Sequence, residues 1–266
     1  MIIYYLKERI EMELHKPTER VINILTIISK HPGELTFSNI SKMLNIPKST
    51  LSPILKTLLE LDLILLDPTT QVYSIGLTSF QIGQTYLYNV NGLEIIKSHM
   101  RSIVGRCNET CQLGINHKNE VLYLTKIECS QPIKLMSSIG RNLPLYCTGL
   151  GRALLLDYSE EKIRNLYTNK MAQFTEFTNT DINKLIDIMR EAKENNYAVE
   201  KQEITSNACC IAVPILINNK IQAALGVSMP IFRATPAHVE MIIDLLQEHS
   251  ALISQELNNF NIKSLL

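Results

Sequence analysis

The feature that most constrains the fold is a pair of short helical patterns followed at once by two β-type runs. Apolar residues recur at helical spacing over residues 37–46 and again over residues 51–59. Asn45 lies between the two patterns, and asparagine tolerates the left-handed conformation of a tight turn. The spacing therefore predicts two short helices joined by a tight turn.

The starts of both helices are predicted by their flanking residues. The hydroxyl of Thr36 or Ser38 can cap free amides, so the first helix should open at one of them. The second should open at Pro47, whose fixed φ suits a first helical turn. That second helix would present these polar side chains to solvent: Lys48, Ser49, Thr50, Ser52 and Lys56.

The next residues predict a β-hairpin. Leu63–Leu66 and Val72–Ile75 are β-prone, and residues 67–71 between them are rich in turn formers. Two helices alone fit an ordinary helical hairpin equally well, but the added hairpin favours a winged helix-turn-helix that reads DNA. We expect DNA contacts from the five polar residues of the second helix and from two hairpin residues, Gln71 and Tyr73.

Charge predicts how such a domain would hold DNA. The chain has a formal net charge of +0, and residues 18–80 contain five basic and five acidic side chains. Because phosphate neutralisation supplies most non-specific affinity, one near-neutral copy should bind duplex DNA weakly. We therefore expect a dimer at least.

Composition predicts a folded cytoplasmic protein. The 266 residues are 45% hydrophobic, enough for two packed domains, and no apolar run approaches the roughly 20 residues that cross a bilayer. Residues 1–16 carry charges and lack a small-residue cleavage site, so no signal peptide is predicted. The six cysteines and six histidines show no zinc-ligand spacing, so we expect buried cysteines and neither a metal nor a cofactor.

The remainder of the chain predicts an α+β domain. A helical pattern from Leu77 to about His99, broken at residues 89–92, predicts a linker helix leading into the first helix of the second domain. Two hairpins follow, turning at residues 117–120 and at Asn218-Asn219. Four further helices are predicted, at Gly149–Leu156, at Ser159–Tyr167, at Thr180–Glu194 and from Thr235-Pro236 onward.

Four blocks of sequence resemble the IclR family of bacterial transcriptional regulators, in the family's order. They are LNIPKSTLSPILKTLLELDLI with YSIG, then SSIGRNLPLYCTGLGRALL, NNYAVEKQEITSNACCIAVPI and AALGVSMPIFRATP. The resemblance covers residues 18–258.

The resemblance implies a regulator of α+β class. Its parts would be a winged helix-turn-helix domain (1–78), a linker helix (79–92) and a GAF-like effector-binding domain (93–266). Its partners would be a double-stranded DNA operator, a small organic-acid-type effector, and copies of itself in a homodimer or homotetramer. Repression is the expected mode of control.

The resemblance also implies an effector pocket, lined by Gly149, Leu150, Glu200, Ala208, Cys210, Gly226 and Ser228. Residues 148–151 open a helix there, and free amides with a positive dipole end suit a carboxylate. Glu200 would repel an anion unless it takes a proton or accepts a hydrogen bond, so the ligand should carry donors as well. The alternative is a glycine-rich turn packed on its own sheet.

Three residues depart from the family pattern. Pro53 stands where a basic residue is usual, and it should kink the helix unless it falls in the first turn. Asn207 replaces a glycine and is the residue best able to take positive φ. Gly226 replaces a small polar residue and should enlarge the pocket.

Two other classes of function are an enzyme and a redox sensor. An enzyme is not expected, since no catalytic triad, carboxylate pair or phosphate loop is present, and neither Cys147 nor Cys210 has an evident histidine partner. A redox sensor could use the adjacent Cys209 and Cys210. Their side chains would point to opposite faces of a strand, leaving one in the core and the other exposed.

Overall fold

Residues 14–88, 90–135 and 139–265 are described by the computed structural model, and their contacts divide the chain into two units at residue 88. Three sequence-based expectations fall partly outside these residues: the N-terminal extension, the start of the linker break at Asn89, and Ser137-Ser138 of the second family block. The boundaries proposed at residues 78 and 92 stay a prediction.

The N-terminal unit is a helical domain with a small antiparallel sheet of order β1-β3-β2. Its elements are α1 (Lys16–Lys30), β1 (Leu35–Thr36), α2 (Phe37–Leu44), α3 (Lys48–Glu60), β2 (Ile64–Leu66), β3 (Val72–Ile75) and α4 (Leu77–Tyr88). The predicted helix pair and hairpin are confirmed. Helix α1 and strand β1 had not been identified from the sequence.

Local chemistry explains where α2 and α3 begin. Thr36 caps α2 through a capping box, in which its Oγ1 accepts from Asn39 N–H and Asn39 Oδ1 accepts from Thr36 N–H. Asn45 ends α2 with φ +52°. Helix α3 starts one residue later than expected, because Pro47 is its N-cap and Lys48 its first residue.

The C-terminal unit is a six-stranded antiparallel sheet of order β6-β5-β4-β9-β8-β7 with helices packed on it. Its elements are α5 (Leu93–Cys107), β4 (Thr110–His117), β5 (Glu120–Ile127), β6 (Asn142–Pro144), α6 (Gly149–Leu154), α7 (Glu160–Leu166), α8 (Ile182–Asn195), β7 (Ala198–Lys201), β8 (Ala208–Ile217), β9 (Lys220–Pro230) and α9 (Pro236–Asn259). Strands β6 and β7, which form the sheet edges, had not been identified from the sequence.

Asparagines make the chain reversals that the sequence predicted. Asn218 and Asn219 both have positive φ and join β8 to β9, and Lys118-Asn119 does the same between β4 and β5. Two successive positive φ values define the hairpin turn whose twist matches that of the strands. Asn207 also lies in the left-handed region, at φ +60°, as expected, and so does Asn108, at φ +50°.

Helices α5 and α9 pack together and against the sheet, whereas α6 lies against β8, β9 and β7. Thr235 caps α9 through its side chain, and Pro236 occupies the first turn, as the sequence predicted. No helix within the described ranges is both long and apolar enough to span a bilayer.

Candidate functional site

Helix α3 presents an exposed polar face. Lys48, Ser49, Ser52 and Lys56 are exposed and Thr50 is half-buried, while Leu51, Leu55 and Leu58 on the other face are buried in the core. This division follows from the helical spacing of its apolar residues. The five polar residues predicted for this helix thus lie together on one accessible surface.

The first turn of α3 has amides that no side chain caps. Pro47 is the N-cap residue and has no side chain able to accept a hydrogen bond. Its carbonyl accepts from Thr50 N–H and Leu51 N–H, both at 2.9 Å. The N–H groups of Lys48 and Ser49 precede these two donors in the helix and have no hydrogen bond to a described residue. Uncapped amides at a helix start favour an anion, and the Lys48 side chain adds a charge there.

Pro53 is the sixth residue of α3 and therefore lies beyond the first turn. Its ring removes the N–H that would bond to the carbonyl four residues earlier. The helix nevertheless continues to Glu60, and Pro53 is exposed, as is the neighbouring Ser52. The chain tolerates the proline, which replaces a side chain that would otherwise project from this surface.

The hairpin supplies fewer DNA-facing residues than expected. Gln71 is exposed at the tip, where its Nε2 donates to Pro68 O at 2.9 Å. Tyr73, in contrast, is only 6% exposed and belongs to the apolar core of this unit. Strand alternation points Tyr73 inward, so its assignment as a DNA-contacting residue is corrected to a core role.

A cavity opens in the C-terminal unit beside the start of α6. It has a volume of about 90 Å³, several times what one water molecule needs. Its walls come from β5, β6, β7, β8 and β9, from the start of α6, and from the segments that follow β5 and β7. The lining residues are Tyr123, Leu135, Arg141, Leu143, Thr148, Gly149, Glu200, Ile204, Thr205, Ala208, Cys209, Cys210 and Ser228.

Five of the seven residues expected to bind an effector line this cavity: Gly149, Glu200, Ala208, Cys210 and Ser228. The other two, Leu150 and Gly226, do not. Leu150 is fully buried in the core, and its side chain lies against the sheet at Gly226 and Gly114. Gly226 is therefore a packing position for Leu150 and does not enlarge the pocket.

The glycines of α6 also serve packing. A Cβ at Gly149 would lie 2.8 Å from Cys210 Sγ, and one at Gly151 would lie 2.3 Å from Leu145 O. Gly151 N–H already donates to Thr148 Oγ1 at 3.2 Å. The expected carboxylate site at the helix start thus loses this amide to a protein partner.

Glu200 is the one acidic residue of the cavity lining. It is 2% exposed, and its Oε1 accepts from Glu203 N–H at 2.5 Å and from Ile204 N–H at 3.4 Å. Burial raises the pKa of Glu200 to about 7, with the Glu203 charge adding to the rise and the two amides and Arg152 opposing it. Its Oε2 has no hydrogen bond to any described residue, and so stays available to a ligand donor.

Next to Glu200 is a buried ion pair between Arg152 and Glu203, which was not predicted from the sequence. Arg152 is 2% exposed and its Nη2 meets the Glu203 carboxylate at 2.7 Å. Its Nε and Nη1 donate to the carbonyls of Tyr146 and Val199. The arginine inside the apolar run GLGRALLL could have indicated this pair, since a buried arginine needs a polar partner.

The cysteines do not favour redox chemistry. All six are buried, including both Cys209 and Cys210, so the expected exposed member of that pair is absent. Both faces of β8 are covered, by α6 and by α9. Burial raises the pKa of Cys209 to about 11 and of Cys210 to about 12, whereas reactive cysteines have lowered values.

Cys147 is likewise no activated nucleophile, because burial raises its pKa to about 12. Within residues 14–88, 90–135 and 139–265, no three His, Cys, Asp or Glu side chains are placed to hold a metal ion.

Two family models match the chain. The IclR helix-turn-helix domain matches residues 17–68, and the bacterial transcriptional regulator IclR C-terminal domain matches residues 84–255. The second match alone covers more than half of the sequence.

Curated relatives match most of the chain. The HTH-type transcriptional repressor AllR of Escherichia coli K12 is 32% identical over 219 residues, which is 82% of this chain and 81% of that protein. AllR of Salmonella typhimurium is 30% identical over the same length, 82% and 80% of the two chains.

Solved structures share the fold. A transcriptional regulator from Alicyclobacillus acidocaldarius superposes with a TM-score of 0.81 at 21% identity, covering 91% of this chain and 98% of the other. The IclR protein of Thermotoga maritima gives 0.72 at 26% identity, with coverages of 91% and 98%. A homologue from Microbacterium hydrocarbonoxydans, solved with 4-hydroxybenzoate, gives 0.78 at 21% identity, with coverages of 91% and 99%.

Proposed function

The chain belongs to the IclR family of bacterial transcriptional regulators, and we propose that it is a repressor released from its operator by a small metabolite. Operator binding is supported by the exposed face of α3. There the uncapped amides of Lys48 and Ser49 lie beside the positive charge of the Lys48 side chain. The repressor assignment is supported by the AllR relatives, which are transcriptional repressors.

The operator should contain two related half-sites. The N-terminal unit is nearly neutral and offers few charges that neutralise phosphates, so one copy gains little binding affinity from the DNA backbone. Two copies present two recognition helices to major-groove faces about one helical turn apart, roughly 34–36 Å. We therefore propose that the functional form is a homodimer or a homotetramer of dimers.

Replacing Lys48 with alanine should weaken binding to all duplexes and lower the slope of log affinity against log salt by about 1, as for one lost phosphate contact. Ser52→Ala should instead change base preference, because Ser52 lies further along the exposed face, where base edges are read. Lys30→Ala is the matched control, since Lys30 is an exposed lysine at the end of α1.

Fluorescence anisotropy with operator and scrambled duplexes at several salt concentrations measures both effects. If Lys48→Ala and Lys30→Ala bind alike, α3 does not lie against the phosphates. If the wild type binds a single half-site as tightly as the full operator, the multimeric mode is wrong.

The effector is proposed to be a small carboxylic acid that also carries a hydroxyl or amine donor. The cavity beside α6 combines apolar surface with polar side chains, which are those of Tyr123, Arg141, Thr148, Glu200, Thr205 and Ser228. The relative from Microbacterium hydrocarbonoxydans binds 4-hydroxybenzoate, an acid with a hydroxyl group, which supports this class of ligand. A donor on the ligand would engage the free Oε2 of Glu200.

Glu200→Gln tests that contact while keeping an acceptor for the two backbone amides. We expect it to weaken effector binding about tenfold at pH 8, where the wild-type carboxylate is ionised, and to remove the pH dependence near 7. In the wild type, effector affinity should rise as pH increases through about 7. The affinity is measured by calorimetric titration of the full chain, and operator release by anisotropy.

The stability of the free protein provides the control for this variant. The folded pKa of Glu200 is raised, so its contribution to stability is fully present below the unfolded value of 4.5 and is lost as pH rises through about 7. Glu200→Gln should therefore flatten the decline in stability between these pH values. An unchanged pH profile for both stability and effector binding would place Glu200 outside the site.

A further inference from the structure

Arg141 lies at the rim of the cavity, directly across from Tyr123. Its carbonyl accepts from Tyr123 N–H at 3.1 Å, and the preceding Gly140 N–H donates to Tyr123 O at 2.8 Å. These bonds fix the backbone of residue 141 beside the cavity wall. The side chain is exposed, and it belongs to the cavity lining together with that of Tyr123.

Most arginines of the C-terminal unit have a polar partner, but Arg141 has none within the part of the chain that the structure describes. The partnered ones are Arg106 with Glu248, Arg152 with Glu203, Arg164 with Asn183, Arg190 with Glu160, and Arg233 with Glu109. The Arg141 guanidinium makes no hydrogen bond or ion pair with any described residue. Among the described residues it is therefore a cation without a partner, at the entrance of the cavity.

The charge of Arg141 acts on Tyr123 in the cavity wall. Burial raises the pKa of Tyr123, and the positive charge of Arg141 is near enough to oppose that rise. Glu200, deeper in the same cavity, has its free Oε2 and is 2% exposed. The lining thus holds one basic residue at the rim and one acidic residue within.

The start of α6 offers an anion few free donors. Its Gly151 N–H donates to Thr148 Oγ1, and α6 is only six residues long. A guanidinium offers a planar pair of donors that match a carboxylate. Arg141 is consequently the better-placed anion receptor.

We propose that Arg141 is the specificity-determining residue of the cavity: it pairs with the carboxylate of the effector at the rim, while a donor on the same molecule reaches Glu200. This inference rests on the proposed effector role of the cavity. The ligand class is a small monocarboxylic acid with a hydroxyl or amine group. A phosphate ester fits less well, because its second negative charge would have only Glu200 as a charged neighbour.

The test uses the full chain, its Arg141→Ala and Arg141→Lys variants, and Arg101→Ala as control. Arg101 is an exposed arginine of α5 that, like Arg141, makes no hydrogen bond or ion pair with a described residue. The probes are hydroxy and amino monocarboxylic acids of two to seven carbons, including 4-hydroxybenzoate, each beside its primary amide. Thermal shift and calorimetry report binding, and anisotropy reports operator release.

We expect at least one acid to raise the melting temperature of the wild type while its amide does not. Arg141→Ala should lose at least tenfold in affinity for that acid, Arg141→Lys should lose less, and Arg101→Ala should match the wild type. Without ligand, all variants should melt alike, because both arginines are exposed. This pattern supports Arg141 as the anion receptor.

Three results overturn the inference: no acid stabilises the wild type, the amide binds as tightly as the acid, or Arg141→Ala retains wild-type affinity. The last result combined with normal operator release would leave the proposed function standing and remove only Arg141. Conversely, binding that depends on Arg141 but leaves the operator complex intact would support the receptor and contradict the proposed effector control.

Discussion

Replacing Arg152 with methionine is expected to destabilise the C-terminal unit by about 3–5 kcal/mol, because it leaves the Glu203 carboxylate buried without its cation. Arg152 Nη2 contacts Glu203 at 2.7 Å, and the Glu203 side chain is 10% exposed. Asn179 N–H also donates to this carboxylate, at 3.1 Å. One backbone amide cannot compensate a buried charge, so the loss should be close to that of an unpaired ion.

Urea and thermal unfolding of the full chain measure this loss, and hydrogen exchange places it in the C-terminal unit. The double variant Arg152→Met with Glu203→Gln should recover much of the stability, since it removes the charge that was left unpaired. Arg190→Met is the control: its pair with Glu160 is solvent-exposed and should contribute little. Equal unfolding midpoints for Arg152→Met and Arg190→Met would contradict the role assigned to the buried pair.

Gly151→Ala is expected to have a comparably large effect, about 3 kcal/mol or more, through steric overlap. The added Cβ would lie 2.3 Å from Leu145 O and 2.4 Å from Leu145 Cα. Both are backbone atoms, so no side-chain rotation relieves the contact, and α6 must shift relative to the segment that precedes it. Because Thr148 and Gly149 at the start of α6 form part of the cavity wall, effector binding should be lost as well.

Gly105→Ala is the matched control for this prediction. Gly105 is an exposed residue of α5, and a Cβ there meets nothing within 4 Å. Since alanine has the higher helix propensity, this variant should be more stable by about 0.5–1 kcal/mol. Chemical denaturation of the two variants gives the comparison. A Gly151→Ala protein as stable as the wild type would mean that α6 does not pack against Leu145 as described.

The packing of Leu150 against Gly114 and Gly226 determines how a substitution at Leu150 should be interpreted. Leu150 is fully buried between α6 and the sheet, so a charged residue there would disrupt folding of the unit before it affected a ligand. A loss of response in Leu150→Glu would therefore not identify the effector site. Arg141 and Glu200 provide sharper tests because their exchange leaves the core in place.

The N-terminal unit was predicted well because its signals are local. The start of α2, the left-handed Asn45 and the hairpin depend on residues within a few positions of each other, and these were confirmed, while α3 starts one residue later than expected. Tyr73 was misassigned although its strand was correct. Which face of a two- or three-stranded sheet is buried depends on the helices packed against it, and this is a non-local property.

In the C-terminal unit the hairpins and most helix starts follow from the sequence, and the comparisons confirm the family membership that the resemblance implied. The resemblance also implied five residues of the cavity lining, but which distant segments meet around the cavity follows only from the tertiary structure. Arg152 meets Glu203 across 51 positions, and Gly149 faces Cys210 because α6 lies on β8. Backbone preferences follow from neighbouring residues, but burial and pairing follow from which distant segments the folded chain brings together, so Leu150, Gly226 and Arg141 could be placed only in the structure.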